Sequence, residues 1–324
     1  MILYYASFGA IASGWIFKAR SSAKRWALGG LAGLALWCAT DQWRDSWETR
    51  LYTLPLSGGH AVFLDRPGNL MLVDCGNASP AESVTVPFLR AAGVNRLDGF
   101  CVSHASARQM GGAIYLLTNI PMDALFSSQA RARSPNYKLL TAALESRSWK
   151  PTFVRDGTNA LDWMVLHPGE VSSRTLVADD NAVVLQTSLN GTSVLLLSEL
   201  SRAGQDALLE RHPDLRADIV IAGLPTKDEP ACQWLIETVK PRLVIIADGD
   251  VPAGRRASPR CRDRLLRNTQ GRVLFCRDTG ALTIIFTPSG WRIETADGRL
   301  VDLTPQPIPL ETTSSPQSAM NDEE

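Results

Sequence analysis

Histidine 104 ends an apolar, partly β-branched run, LDGFCVSH, and the pair Gly111-Gly112 then opens what reads as a helix. A strand, a short loop and a glycine-opened helix can aim several ligands at one metal ion. This loop is poor in ligands, with Ser106, Arg108 and Gln109 where nitrogen or carboxylate donors would be wanted. A guanidinium has no lone pair to offer, and its fixed charge opposes a nearby dication. Three other residues are of types that can ligate a metal: His60 in GGHAV, Asp74 in LVDCG and Glu199 after VLLLS. Two histidines and a carboxylate suffice in principle for one divalent ion. Each candidate also has a plainer reading. His60 can be a strand-edge histidine, Asp74 can order its own loop, and His104 can be a hydrogen-bonded relic. His167 and His212 read as structural. The loop therefore reads as a former metal site, with no cofactor expected and one manganese or zinc ion as the alternative.

Little else in the chain could replace an activated hydroxide. There is no G-x-S-x-G elbow, no phosphate-cradling glycine loop and no plausible Ser-His-Asp order. The six cysteines are scattered without a C-x-x-C pair, so they suggest neither a zinc cluster nor a disulfide framework. Cys75 and Cys101 lie in apolar runs and read as small buried thiols. Lysine plus arginine balances aspartate plus glutamate at 33 each, so any argument for a nucleic acid must be local. One stretch makes that argument. RRASPRCRDRLLRNTQGR carries Arg255, Arg256, Arg260, Arg262, Arg264 and Arg267, then Arg272, against the single acid Asp263. RARSPNYK adds Arg131 and Arg133 beside Tyr137. Arginines grip phosphates in a fork and a tyrosine can stack on a base, which suits single-stranded DNA. The competing reading is a solvated helix face making pairs one turn apart, although one acid is too few for most of this run.

The elements that must hold these residues alternate between strand and helix. LYTLPL, HAVFLD and LMLVD read as strands, PAESVTVPFLRAAG as a helix capped by Gly93 despite Pro87, and LDGFCVS as the next strand. AVVLQTSL and TSVLLLSEL form a hairpin around Asn190-Gly191. RVLFCR, ALTIIFT and GWRIET read as a terminal meander. The pattern implies an α/β fold of two sheets covered outside by helices. Ahead of it, residues 2–17 and 26–39 are apolar and uncharged, and KARSSAKR lies between them. With flanking residues each run approaches the roughly 20 residues that span a bilayer. A two-helix transmembrane hairpin over 1–45 is expected, with its basic loop in the cytoplasm and the rest of the chain outside. The last stretch, 304–324, is rich in Pro, Ser and Thr and reads as a disordered tail.

In this order the segments resemble the metallo-β-lactamase-like domain at the C-terminal end of ComEC-type competence proteins, over about residues 50–303. LSGGHAVFLDRPGNLMLVDCG resembles the glycine-rich opening, VPFLRAAGVNRLDGFCVSH the approach to the metal loop, and NAVVLQTSLNGTSVLLLSEL the central hairpin. VKPRLVIIAD and FCRDTGALTI resemble the closing segments. The resemblance implies an αββα sandwich, a bacterial cytoplasmic membrane location, a role in DNA uptake and a separate membrane channel subunit as partner. It also implies an H-x-H-x-D-H loop, which this chain lacks: Ser106, Arg108 and Gln109 fall at the later three ligand positions. Glu199 falls at the bridging aspartate, Leu224 and Pro225 at a later histidine pair, and Ser258 at a downstream histidine. These losses imply a degenerate hydrolase in which the fixed charge of Arg108 replaces a bound cation. The alternatives are an active nuclease or phosphodiesterase with a remodelled one-metal site, and a non-functional fragment of a longer channel protein.

Overall fold

A computed structural model describes residues 48–128, 135–169 and 178–302, with the isolated positions 30 and 33. The expected membrane hairpin, Arg131, Arg133 and the expected disordered tail lie outside the described residues, as does the side chain of Arg255. Among the described residues no helix is long and apolar enough to cross a membrane.

Among the described residues, fifteen strands form two sheets. The first takes β1 (Thr49–Leu56), β2 (Gly59–Arg66), β3 (Asn69–Val73), β4 (Leu97–Val102), β5 (Met122–Ser128) and β6 (Thr152–Val154). The second takes β7 (Asn159–Ala160), β8 (Trp163–His167), β9 (Val184–Leu189), β10 (Thr192–Ser198), β11 (Ile219–Ala222), β12 (Leu243–Ile246) and β13 (Arg272–Phe275). The chain then returns to the first sheet with β14 (Leu282–Thr287) and β15 (Gly290–Thr295), giving the orders β15-β14-β1-β2-β3-β4-β5-β6 and β13-β12-β11-β10-β9-β8-β7. The expected terminal meander is thus corrected. RVLF pairs parallel with β12 in the second sheet, and of the three segments just β14 and β15 pair as a hairpin, in the first.

Both faces of each sheet are buried, and alternation along the strands sorts the side chains into three layers. Val62, Leu64, Met71 and Val73 meet Val194, Leu196, Ile219 and Ile221 between the sheets. Ala61, Phe63, Leu72 and Phe100 turn outward beneath helices Val86–Ala91, Ala113–Asn119 and Pro135–Ser146, which supply Leu89, Leu116 and Leu140. Leu195, Leu197, Val220 and Val244 do the same beneath Arg202–Arg211, Gln233–Val239 and Pro259–Asn268. The result is a mixed two-sheet sandwich with helices on both outer faces, the αββα arrangement expected.

Local chemistry explains several turns. Pro87 lacks an N–H and its ring crowds the carbonyl one turn earlier, and the chain answers with a π-helical turn at Ala81–Thr85 before helix Val86–Ala91. Gly93, at φ +79°, closes that helix, with Val94 N–H donating to Leu89 O. Asn190 and Gly191 both adopt positive φ, as a two-residue hairpin turn between β9 and β10 requires.

Candidate functional site

Strands β3 and β4 are parallel in the first sheet, and β10 to β13 are parallel in the second. Their C-terminal ends deliver Asp74, Ser103 with His104, Glu199 and Gly223. Val183 N–H donates to Ser103 O at 2.8 Å and ties the two sheets together there.

His104 is almost wholly buried, and its ligand-bearing atoms lie within 4.8 Å of those of Asp179 and Glu199, both also buried. The Nε2 atom is 3.4 Å from Asp179 Oδ1 and 4.0 Å from Glu199 Oε2. The other ring nitrogen, Nδ1, is 3.0 Å from Ser103 Oγ, which donates to Asp74 Oδ2 at 2.7 Å. Where Asp74 is ionised it takes that hydroxyl proton, and the imidazole proton then sits on Nδ1. The Nε2 lone pair then faces the two carboxylates, the tautomer a metal ligand needs. Asp74 is spent on this scaffold, since its other oxygen accepts from Ser103 N–H at 2.8 Å. Asp74 adopts φ +59°, and its own N–H donates to Cys101 O. It therefore orders the loop and orients His104, and the ligand atom near His104 comes from Asp179 instead.

Sequence reasoning missed Asp179. The residue lies in a short 3-10 turn, Asp179–Asn181, ahead of β9. Two side chains hold that turn: His167 Nε2 contacts Asp180 O at 2.8 Å, and Asp179 Oδ2 accepts from Thr226 N–H at 2.7 Å. His167 Nδ1 is met by Arg211 Nη2 at 2.7 Å, and His212 pairs with Asp156 at 3.1 Å, so both histidines are structural as expected. The acid pair in VADDNAVV was the available signal.

Arg108 reaches directly into this cluster. Its Nη2 donates to Glu199 Oε2 at 3.1 Å and to Thr226 Oγ1 at 2.8 Å. A fixed cation therefore sits on the carboxylate that a metal would use. Ser106 accepts from Arg108 N–H as the cap of the short helix Ala107–Met110. Gln109 is fully buried, and its amide faces Glu199, although neither Nε2 nor Oε1 makes a hydrogen bond of normal geometry among the described residues. The Gly-Gly pair serves packing, because a Cβ on Gly112 would lie 2.1 Å from Ala81 Cβ. Leu224 and Pro225 bring no ligand. Ser258 caps helix Pro259–Asn268 by accepting from Cys261 N–H at 3.1 Å.

His60 is fully buried on the face of β2 that looks between the sheets, and neither ring nitrogen has a hydrogen-bond partner among the described residues. A Cβ on Gly223 would lie 2.7 Å from His60 Nδ1 and 2.8 Å from Glu199 Cγ, so only glycine fits between them. His60 thus borders the cluster without contributing to the close ligand set.

Electrostatics here is set by burial. Desolvation, then the neighbouring His104, lowers His60 to about 4. Desolvation also lowers His104 to about 4, with Arg108 acting the same way and Asp179 opposing. Burial lifts Asp74 to about 7 against its two bonds from Ser103. Burial pushes Glu199 well up. Arg108 opposes that shift, and Asp179 and Asp74 add to it. The thiols of Cys75 and Cys101 are pushed up by burial, which makes poor nucleophiles of them.

The donor set does not fit a two-metal hydrolytic centre, which needs more ligands than His104, Asp179 and Glu199 supply. One histidine and two carboxylates do match a one-metal set, with the charge of Arg108 standing against it.

The arginine run is largely occupied elsewhere. Arg264 donates to Glu229 and to the carbonyls of Pro230 and Ala231, each at 2.8 Å. Arg262 pairs with Asp278 and lies 3.9 Å from the Phe275 ring centre, and Arg256 donates to Asp250 O at 3.0 Å. Arg260 and Arg267 are exposed. The acids the run itself lacks come from distant segments.

No family model matches the chain. ComE operon protein 3 of Bacillus subtilis is 25% identical over 175 residues, which is 53% of this chain and 22% of that protein. The chain resembles the ComEC-type competence proteins. Competence protein ComA of Neisseria gonorrhoeae is 22% identical over 210 residues, covering 64% of this chain and 28% of that one. The chain therefore matches only about a quarter of the length of these curated relatives. Among solved structures, a variant of the β-hydroxylase CmlA aligns at TM-score 0.49 and 14% identity, covering 72% of this chain and 53% of that one.

Proposed function

We propose that this chain is a ComEC-type metallo-β-lactamase-fold protein that handles single-stranded DNA during uptake without hydrolysing it. In this reading residues 1–45 anchor it in the bacterial cytoplasmic membrane, the sandwich stands on the outer face, and a separate channel subunit supplies the pore. The resemblance to the two competence proteins supports the setting. The observation that carries the loss of hydrolysis is the 3.1 Å bond from Arg108 Nη2 to Glu199 Oε2. It neutralises the carboxylate with a charge that cannot carry a water, and neither Ser106 nor Gln109 offers a histidine to rebuild the centre.

A second reading has a specific observation behind it. The ligand atoms of His104, Asp179 and Glu199 already lie within 4.8 Å of one another, which suits a remodelled one-metal nuclease. One assay separates the two. End-labelled single-stranded DNA is incubated with the full chain and added manganese or zinc, and both mobility and strand length are read. The proposal expects retarded, full-length strands. Shortened strands whose appearance depends on His104 would establish the nuclease instead.

A further inference from the structure

The opposite pole of the sandwich carries a cleft of about 530 Å³ built by three connections. These are the turn into β12 (Lys240 to Arg242), the turn into β13 (Gln270 to Arg272) and the β14–β15 turn, which brings Ser289 and Trp291. The geometry points to this cleft as the site that grips single-stranded DNA, with Lys240, Arg242 and Arg272 on phosphates and the Trp291 indole beneath a base. The inference rests on the DNA-handling reading above and gives that reading a surface.

Four observations carry it. Three cations and no acid line the cleft. The Asp218 carboxylate lies 3.9 Å from Arg242 at Oδ1, and its Oδ2 accepts from Ser193 N–H at 2.9 Å. Second, the cations are displayed by fixed backbone. Arg242 N–H donates to Asp218 O at 2.8 Å and Arg272 N–H to Arg242 O at 2.9 Å, while a Cβ on Gly271 would lie 2.0 Å from Arg242 O. Third, Lys240 closes helix Gln233–Val239 in the left-handed region, at φ +53°, where glycine or asparagine is the cheap choice. A long cation is kept there at a local cost. Fourth, Arg272 Nε is buried with no partner among the described residues.

The aromatic wall selects the form of the nucleic acid. The Trp291 ring is half-buried against the inter-sheet core, and the Arg242 guanidinium lies over it, 5.7 Å from its centre. An unstacked base stacks here by displacing the guanidinium from the indole toward a phosphate, and stacking of this kind contributes about 1–3 kcal/mol per base. A duplex keeps its base faces stacked and offers none to an indole. The volume falls within the roughly 300–1,000 Å³ of small-ligand pockets, room for one or two nucleotides rather than a double helix.

The test measures fluorescence anisotropy of a labelled oligothymidylate against the full chain in detergent micelles, over a series of salt concentrations. Arg242→Ala with Arg272→Ala is expected to weaken binding about tenfold and to flatten the log–log salt slope by about 1.4, two single-strand phosphate contacts. Trp291→Ala is expected to cost about ten- to a hundredfold with the slope unchanged. Arg90→Ala with Lys150→Ala removes the same charge from exposed positions outside the cleft and should leave affinity within about twofold. If the arginine pair fails to fold, the exposed Arg242→Glu replaces it and must weaken binding. Wild-type binding that these cleft variants leave intact overturns the cleft while sparing the DNA reading. No binding of the strand by wild type at low salt removes both. Equal loss of binding to anionic lipid vesicles, with DNA binding unaffected, would make the surface a membrane contact and overturn the proposal.

Discussion

Replacing His60 by leucine should stabilise this protein, and more so in acid. Two buried ring nitrogens without partners are a standing cost of about 1–3 kcal/mol per unsatisfied group. An apolar side chain of similar size on the inward face of β2, beside Val62, removes that cost and loses no hydrogen bond within the described residues. Acid adds a second contribution. The imidazole is held at about 4 in the fold, and at its ordinary value near 6.5 once unfolded. A depressed histidine is neutral in both states above the unfolded value, so nothing is lost at pH 8. As pH falls below 6.5 the unfolded chain takes up a proton that the folded chain refuses, and stability drains until about pH 4. Between pH 7 and pH 5 the loss from His60 alone is about 2 kcal/mol. His60→Leu should therefore melt several degrees above wild type at pH 7, with the gap widening by about 4–8 °C at pH 5. The assay is thermal unfolding followed by circular dichroism at the two pH values. A variant that melts below wild type at pH 7, or a gap that stays constant in acid, would refute the claim that the histidine is partnerless and neutral.

Arg108→Ala should open the cluster to a cation. Added manganese or zinc is expected to raise the variant's melting point by about 5–10 °C at a hundredfold excess over Kd, equivalent to about 2.7 kcal/mol, and to leave wild type unmoved. An unmoved variant would show that Arg108 is not what excludes the ion. Ser103→Ala cuts the relay between Asp74 and His104 and should cost about 1.5–3 kcal/mol in urea unfolding, because one bond goes to a buried carboxylate. An unchanged midpoint would count against the relay. Gly112→Ala drives a methyl into Ala81 and should lose at least about 1–3 kcal/mol. Gly254→Ala meets nothing within 4 Å and should stay within about 0.5 kcal/mol. Equal effects from the two would argue against the tight Gly112 contact.

The sandwich was legible in the sequence because its strands and helices are locally consistent. Asn190-Gly191 and Gly93 each made the turn their chemistry demands. The place of RVLF was not legible. A strand buried on both faces shows no alternation, and nothing local tells a parallel partner in one sheet from a meander in the other. Pro87 was read as tolerated, and the structure supplies the means, a π-turn. At the site, His104 was visible as a histidine at a strand end, whereas Glu199 and Arg108 were placed only by the resemblance to ComEC-type domains. Asp179 was not legible, because its position depends on His167 and Thr226 holding a loop from far along the chain. The arginine run misled for a related reason. Its partners Glu229 and Asp278 lie 35 and 16 residues from Arg264 and Arg262, beyond any one-turn pairing rule. Arg272, at the end of the same run, reaches the cleft on the far pole instead.

The central claim is that a guanidinium has taken the place of a metal. Its most direct test is the metal content of the full chain, purified without chelator after growth with added manganese and zinc and measured by plasma mass spectrometry. The account predicts far less than one ion per chain. Near-stoichiometric metal that disappears in His104→Ala would contradict it and make His104, Asp179 and Glu199 a working one-metal centre.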